Sequence, residues 1–548
     1  MANNKQQTTS KTSAKTLVKS ILGQFPFTAE LYWLVRHRDK SINSRFSLKN
    51  LEEQLPDITQ HLKEKPIADS GGKKIFLFAS LHYWIEHAAL IGLELSALGH
   101  EVTLGFLPYH DWQNEINKFD LRRQNIYAQK VLEKTEPFLH SISMLNLHAG
   151  YKMLPEDLQE SITQVSRYDA MYTLQVESVD ESSSIFKMRL KRNLLAGRAA
   201  YVWMEENKPE VVVVPNGTIQ EFGVVYEVAR YLGIPAVTYE FGDQRQRIWL
   251  AQNARVMRQE THAMWEAFKD KPLTRAELTR IRDLFEARKK ASVWKNFSRL
   301  WQQVPSKGME IAREELDLDE RPVVLLATNV LGDSLTLGRE LFSQNMAEWL
   351  ERTLQYFIGK PEVQLVVRVH PGEVLIHGQS MVDVINRVLP KLPPHIRVIG
   401  PEEKVNTYDL IAAADVGLVY TTTVGLEMAM SGVPVIVAGN THYREKGFTC
   451  DADSWVRYYK LLKEVLENPE KFRLTSDQVN LAWAYAYRFF FDFPRPFPWH
   501  LLQCWDDYQS LKLEDLERCR EWKEYRQVFA YLAGEEIDWA AIRDHKTA

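Results

Sequence analysis

Short runs rich in apolar residues, four to seven residues long, alternate along most of this chain with stretches of helical period. Each run ends in polar residues, glycine or proline. Ile75 to Ala79 reads as a buried strand, followed by the loop Ser80-Leu81-His82-Tyr83-Trp84. A helical pattern runs from Glu86 to Leu98, Gly99-His100 stops it, and Glu101 to Phe106 is the next strand. Residues 110–205 carry a mostly helical pattern and predict a long insertion. Val211 to Val214 is then a strand closed by Pro215-Asn216-Gly217, a helix runs through Tyr226 to Leu232, and Ile234 to Tyr239 is a further strand. That strand opens into the polar loop Glu240-Phe241-Gly242-Asp243-Gln244-Arg245.

After a charged helical stretch at 255–315 and the acidic linker end Glu314 to Glu320, the alternation begins again. Strands are predicted at 321–327, 363–369, 396–399, 415–420 and 434–438. This order makes two α/β halves in tandem. The pattern divides the chain into an N-terminal extension at 1–72, a first domain at 73–318, a second at 319–475 and a C-terminal region at 476–548. In that last region Trp483, Tyr485, Tyr487, Phe489, Phe490, Phe491, Phe493, Phe497 and Trp499 crowd around three prolines. The segment is expected to cross back and pack its rings on the first domain. A peripheral membrane contact is the alternative.

Composition narrows the class of protein. The 548 residues are 45% apolar and 26% charged, with a net charge of -4. Such a balance offers no field for nucleic acid. Three scattered cysteines fit neither a disulfide framework nor a zinc pattern, which points to a reducing cytosol. No apolar stretch approaches the roughly 20 residues that span a bilayer. Met1 to Lys19 is polar, lacks a signal-peptide core, and is expected to be a frayed tail. Trp33, Arg36, Arg38 and Arg45 form a basic aromatic segment, read as an accessory element or as a contact for an anionic surface. Ser70-Gly71-Gly72 is a turn signal before the first domain.

Candidate chemistry gathers at strand ends in the second half. Parallel strands put their C-terminal ends on one edge, and open α/β sheets bind ligands outside that edge. Arg368-Val369-His370-Pro371 ends one strand, and Tyr420-Thr421-Thr422-Thr423-Val424-Gly425-Leu426-Glu427 ends another. Arg368 is a permanent cation and His370 can donate a hydrogen bond, so both suit phosphate. Thr422, Thr423 and Val424 are expected at a helix start, where hydroxyls and free N–H groups bind anions. Glu427, one turn on, suits ribose hydroxyls. No G-x-G-x-x-G loop comes after the first strand, so a dinucleotide fingerprint is absent.

These residues carry a family resemblance. Arg368-Val369-His370-Pro371 resembles the His-Pro motif of bacterial capsule polysaccharide glycosyltransferases, and Thr421 to Glu427 resembles their Ser/Thr-rich motif. Gly432 to Ile436 and the Gly439 to Phe448 loop, with Tyr443, resemble the loop beyond that motif. Kdo- and sialyl-transferring capsule enzymes and teichoic acid glycerophosphate polymerases carry similar motifs. The resemblance is specific over about 320–450 and architectural over 73–250. It implies a GT-B fold, with two Rossmann-like domains facing each other across a cleft and helical extensions at both ends. It also implies a cytoplasmic enzyme, peripheral at the inner membrane face in the alternative reading. That enzyme would take a nucleotide-sugar donor as substrate, with no separate cofactor, and a glycan or lipid-linked glycan acceptor. Glu427 resembles the ribose-binding glutamate of many such enzymes.

In that fold the base comes from the first domain. Glu86 and His87 are the first choices, with His82, Glu240 and Asp243 as further candidates. Metal dependence is not expected: Asp317-Leu318-Asp319 precedes a strand instead of ending one, and no His/Cys cluster offers a zinc site. A polyol-phosphate transferase, a sugar-nucleotide epimerase and a non-catalytic nucleotide-binding module are the rival readings.

Overall fold

A computed structural model describes residues 14–36, 45–64, 71–147, 152–375 and 378–542. Residues 1–13 of the expected tail, Arg38 of the basic segment and Ser70 of the turn lie outside these. The first sheet holds β1 (Lys74–Ser80), β2 (Glu101–Leu107), β3 (Leu139–Ser143), β4 (Val211–Pro215), β5 (Ala236–Glu240) and β6 (Arg247–Gln252). The second holds β7 (Val323–Ala327), β8 (Gln364–Arg368), β9 (Ile396–Ile399), β10 (Val416–Val419), β11 (Val435–Val437) and β12 (Cys450–Asp451). A short β13 (Arg495–Pro496) joins the first sheet as its seventh strand.

The spatial order is β13-β6-β5-β4-β1-β2-β3 in the first sheet and β12-β11-β10-β7-β8-β9 in the second. Both cores therefore repeat the Rossmann order, in which the chain goes outward from the first strand, returns, and continues on its other side. All pairings are parallel except β5 with β6 and β6 with β13. Strands β1, β4, β7, β8, β10 and β11 are buried almost throughout, which is why they read as continuous apolar runs. Each sheet has a switch point where the order reverses, between β1 and β4 in one and between β7 and β10 in the other.

Three sequence expectations change. The stretch 110–205 is not wholly an insertion, because β3 within it extends the sheet by pairing with β2 from Val102↔Leu139 to Phe106↔Ser143. The helices His262–Phe268 and Arg275–Lys289 pack with the second domain's core through Met264, Trp265, Ile281 and Phe285. They fall before residue 318, where the sequence pattern would end the first domain. The aromatic segment divides its rings between both domains. Tyr485 to Phe493 join the second core, whereas Phe497 and Trp499 join the first. Of its nine rings only Trp483 is more than marginally exposed, so the segment offers no face to a membrane. Among the described residues no helix is long and apolar enough to cross a bilayer.

Candidate active site

The edge of the second sheet is held by hydrogen bonds that run between strand ends. The Thr421 N–H donates to Asn329 Oδ1, 3.2 Å away, which ties the end of β10 to the end of β7 across the switch point. The His370 N–H donates to Thr328 Oγ1 at 3.2 Å and ties β8 to β7. The Gly372 N–H donates to His370 Nδ1 at 2.9 Å. An accepting Nδ1 on a neutral ring leaves the proton on Nε2. Burial, then the Arg299 and Arg368 charges, hold this imidazole down to about 4, so it is neutral at pH 7. His370 is thus a fixed neutral donor at the strand edge.

The threonine turn is braced from behind. Tyr443 is fully buried and its hydroxyl donates to the Thr422 carbonyl at 2.5 Å. A Cβ at Gly425 would strike that same hydroxyl, so the position tolerates only glycine. The Thr441 hydroxyl donates to the Thr421 carbonyl at 3.2 Å. The Val424 N–H is turned toward Thr422 Oγ1, at 3.5 Å, so it is not free for an anion as the sequence suggested. Tyr443 shapes the turn from the core side, so it is a brace and not a ligand-facing group.

Arg368 and Glu427 also differ from expectation. Arg368 is buried, and its Nη1 donates to the Gly400 carbonyl at 2.7 Å. Desolvation lowers its guanidinium to about 10. The charge is engaged by the loop after β9, which it holds beside the edge. Glu427 is buried against Arg288, with Oε1 3.0 Å from Nη1. Trp301 covers that guanidinium, with its ring centroid 3.9 Å away. Arg288 thus engages one oxygen of the Glu427 carboxylate. A cavity of about 210 Å³ opens on this side, lined in part by Phe285, Lys289, Tyr408, Glu427 and Trp483.

In the first domain the expected bases turn away from the edge. The Glu86 carboxylate accepts from the Leu51 N–H at 3.1 Å and from Trp505 Nε1 at 2.9 Å. It joins the helix His82–Ala97 to an N-terminal helix and to the C-terminal region. Burial raises it to about 7. His87 is fully buried, with Nε2 2.9 Å from the Trp499 carbonyl, and burial lowers it to about 4. Both residues are packing groups, and neither is placed to meet a substrate. Helical period brought them inward because every position from Trp84 to Leu95 is buried.

The residue that does stand at the edge is Glu240, the last of β5. It accepts from Asn216 Nδ2 at 3.0 Å and from the Phe241 N–H at 3.0 Å. Burial raises it to about 6. Around it the backbone is strained: Leu81 after β1 and Asn216 and Gln220 after β4 have φ of 68°, 58° and 56°. Left-handed conformations cost a non-glycine residue about 1–3 kcal/mol and cluster at functional sites. All three lie at the first sheet's switch point.

The two edges are in electrical contact. The Tyr172 hydroxyl is raised to about 12 by burial, and Asp333, Glu240 and Tyr83 push it the same way. Asp333 lies in the loop after β7, and Tyr172 packs on Trp112 of the first domain. Arg299 Nη1 is 4.0 Å from Asp243 Oδ2, and its charge acts on both His370 and Asp333. Asp243 also accepts through its backbone carbonyl from the Ser298 N–H at 2.8 Å. Asp243 and Arg299 thus meet directly, Asn216 holds Glu240, and the Arg299 charge acts on His370 and Asp333. Asn216-Gly217 was visible as a strand-end turn, but Arg299 had no signal within its charged stretch.

Asp317 and Asp319 of the D-x-D lie at the opposite end of β7. Asp317 faces Arg397 at 3.3 Å and Asp319 faces Arg321 at 2.7 Å. Both serve the surface there.

Residues 253–467 match the family model described as "Capsule polysaccharide biosynthesis protein". The match spans the helices His262–Phe268 and Arg275–Lys289 and all six strands of the second sheet, including the His370 and Thr422 edges. No curated protein matches the chain. Among solved structures it resembles the KpsC beta Kdo 2,4 transferase of Thermosulfurimonas dismutans at 19% identity and a TM-score of 0.34, over 50% of this chain and 79% of that one. It also resembles the KpsC beta Kdo 2,7 transferase of the same organism at 13% identity and a TM-score of 0.31, over 60% and 98%. A Neisseria meningitidis UDP-GlcNAc 2-epimerase, bound to UDP-GlcNAc, aligns at 14% identity and a TM-score of 0.23, over 77% and 99%. At these identities and TM-scores nothing about activity is carried over. The fold itself is GT-B: two Rossmann-ordered domains with their strand edges on a common cleft.

Proposed function

We propose that this chain is a glycosyltransferase of capsular glycan synthesis that moves a sugar from a nucleotide-activated donor to a glycan acceptor. The observation that carries the proposal is that Glu240 closes β5 of one sheet and His370 follows β8 of the other, with Arg299 acting on His370 and lying 4.0 Å from Asp243, together with the capsule-synthesis match over 253–467. The acceptor hydroxyl gives its proton to Glu240 as its oxygen attacks the anomeric carbon. The bond from that carbon to the donor phosphate oxygen breaks, and the phosphate leaves with the electron pair. His370 Nε2–H and the Thr422 and Thr423 hydroxyls face the growing negative charge, and Arg299 adds a cation beside them. Glu240 is a carboxylate at pH 7, as a base must be, yet burial makes it more basic than a surface glutamate.

The nucleotide-sugar serves as substrate, and no cofactor or metal enters this scheme. Among the described residues no group of three or more His, Cys, Asp or Glu is placed to hold a metal ion. Incubation with a panel of nucleotide-sugars and oligosaccharide acceptors, read by mass, tests the proposal. Free nucleotide together with an extended acceptor is the expected result, and addition of a chelator leaves it unchanged. Glu240→Gln should lower turnover by 10²–10⁴-fold with donor binding kept, the usual worth of a general base. An isomerised sugar-nucleotide, or turnover of CDP-glycerol instead of any sugar donor, would overturn it.

A further inference from the structure

The helices Ala14–Leu22 and Thr28–Arg36 form a hairpin that lies on the helix Lys118–Leu132 by one face only. The anchored face is well defined. Trp33 is buried against Tyr127, Lys19 Nζ is 2.8 Å from Asp120, and Arg122 donates to the Phe25 carbonyl at 2.9 Å. The other face is apolar and open. Leu17, Val18 and Ile21 of the first helix and Leu31, Leu34 and Val35 of the second are exposed. Each set has helical spacing, so each is a continuous stripe. Phe25 and Phe27 stand exposed at the tip between them, Phe27 at 70% and Val35 at 84%. Soluble surfaces rarely gather apolar side chains this way.

Charge tells what covers the face. Residues 1–45 hold eight Lys and Arg against two Asp and Glu, a net +6. The whole chain carries -4, so the remainder carries -10. A strongly basic segment of an acidic protein is therefore the part that presents the apolar stripes. Beneath it, Arg123 lies over the Tyr32 ring at 5.0 Å and 3.3 Å from Asp120. Apolar stripes with basic flanks are the pattern of helices that lie in the surface of an anionic bilayer. A second copy of this chain would bring +6 against +6. We propose that the hairpin docks the protein on an anionic lipid surface, with the Phe25 and Phe27 tip and the two stripes inserted among the headgroups.

Co-sedimentation of the full-length chain with vesicles tests this without any activity assay. Vesicles of phosphatidylcholine mixed with phosphatidylserine should carry the protein down, vesicles of phosphatidylcholine alone should not, and raised salt should release it. Phe25→Ser with Phe27→Ser, and separately Leu34→Ser with Val35→Ser, should each lower the bound fraction at least tenfold. Because these side chains are exposed, the melting temperature should not move. Parent protein that stays in the supernatant with anionic vesicles overturns the proposal. So do variants that sediment like the parent, and so does a parent that dimerises through this face, as sedimentation velocity would show, without binding vesicles.

Discussion

Glu86 and Glu240 are two raised carboxylates with opposite duties, and pH separates them. Glu240 must be ionised to act, so kcat/KM should fall about tenfold per pH unit below about 6. A pH–rate profile shows this limb, and Glu240→Gln should abolish it. Glu86 sits at about 7 in the folded chain, above its ordinary value. Between that ordinary value and about 7 the folded chain keeps a proton that the unfolded chain has lost. Stability should therefore decline as pH rises through that window. Glu86→Gln should remove this part of the decline, measured by melting at several pH values, and leave turnover near the parent's. A hundredfold loss of turnover would return Glu86 to the chemistry. The sequence could not tell these residues apart, because both come after strands of the same sheet. Only β5 ends at Glu240, whereas Glu86 lies in a helix that is buried on every side.

Strands were easy to read where both faces are buried and every position is apolar, as in Val323–Ala327 or Val211–Pro215. Leu139–Ser143 escaped because it is an edge strand with His and Ser in it and a half-exposed pattern. The His-Pro and threonine edges were legible as polar residues closing apolar runs. The partner each side chain would take was not, because Arg288 comes from a helix 139 residues before Glu427. The aromatic segment shows a similar limit. Its rings announced burial, but its charges decide how it is pinned. Arg488 is buried between Glu277 and Asp492, at 2.8 Å from each. Truncating one member of a buried pair typically costs about 3–5 kcal/mol, since the other charge stays buried. Arg488→Ala should lower the urea midpoint accordingly. The double change with Glu277→Ala should cost less than the sum, and strict additivity would show that the pair is not coupled.

Specific contacts join the two domains. Glu177, beyond the helix Glu156–Leu174, accepts from the Met346 and Ala347 N–H groups at 3.0 and 2.8 Å. These open the helix Met346–Ile358 of the second domain, so the carboxylate caps a helix across the cleft. Gly332, at φ 67°, approaches the backbone of Met171 to Val176 so closely that no Cβ fits. Glu177→Ala should loosen this side and enlarge the radius of gyration by small-angle scattering. An unchanged radius would mean that the cap does not hold the domains together.

Among the described residues the chain leaves the first sheet after β6 and returns to it where Phe493 gives way to β13. Both passages flank β6 at one margin of the first sheet. A body joined to another at two neighbouring points behaves like a door on two pins. It swings about the line through them and resists sliding or twisting. A swing of one domain on the other would thus turn about the β6 margin.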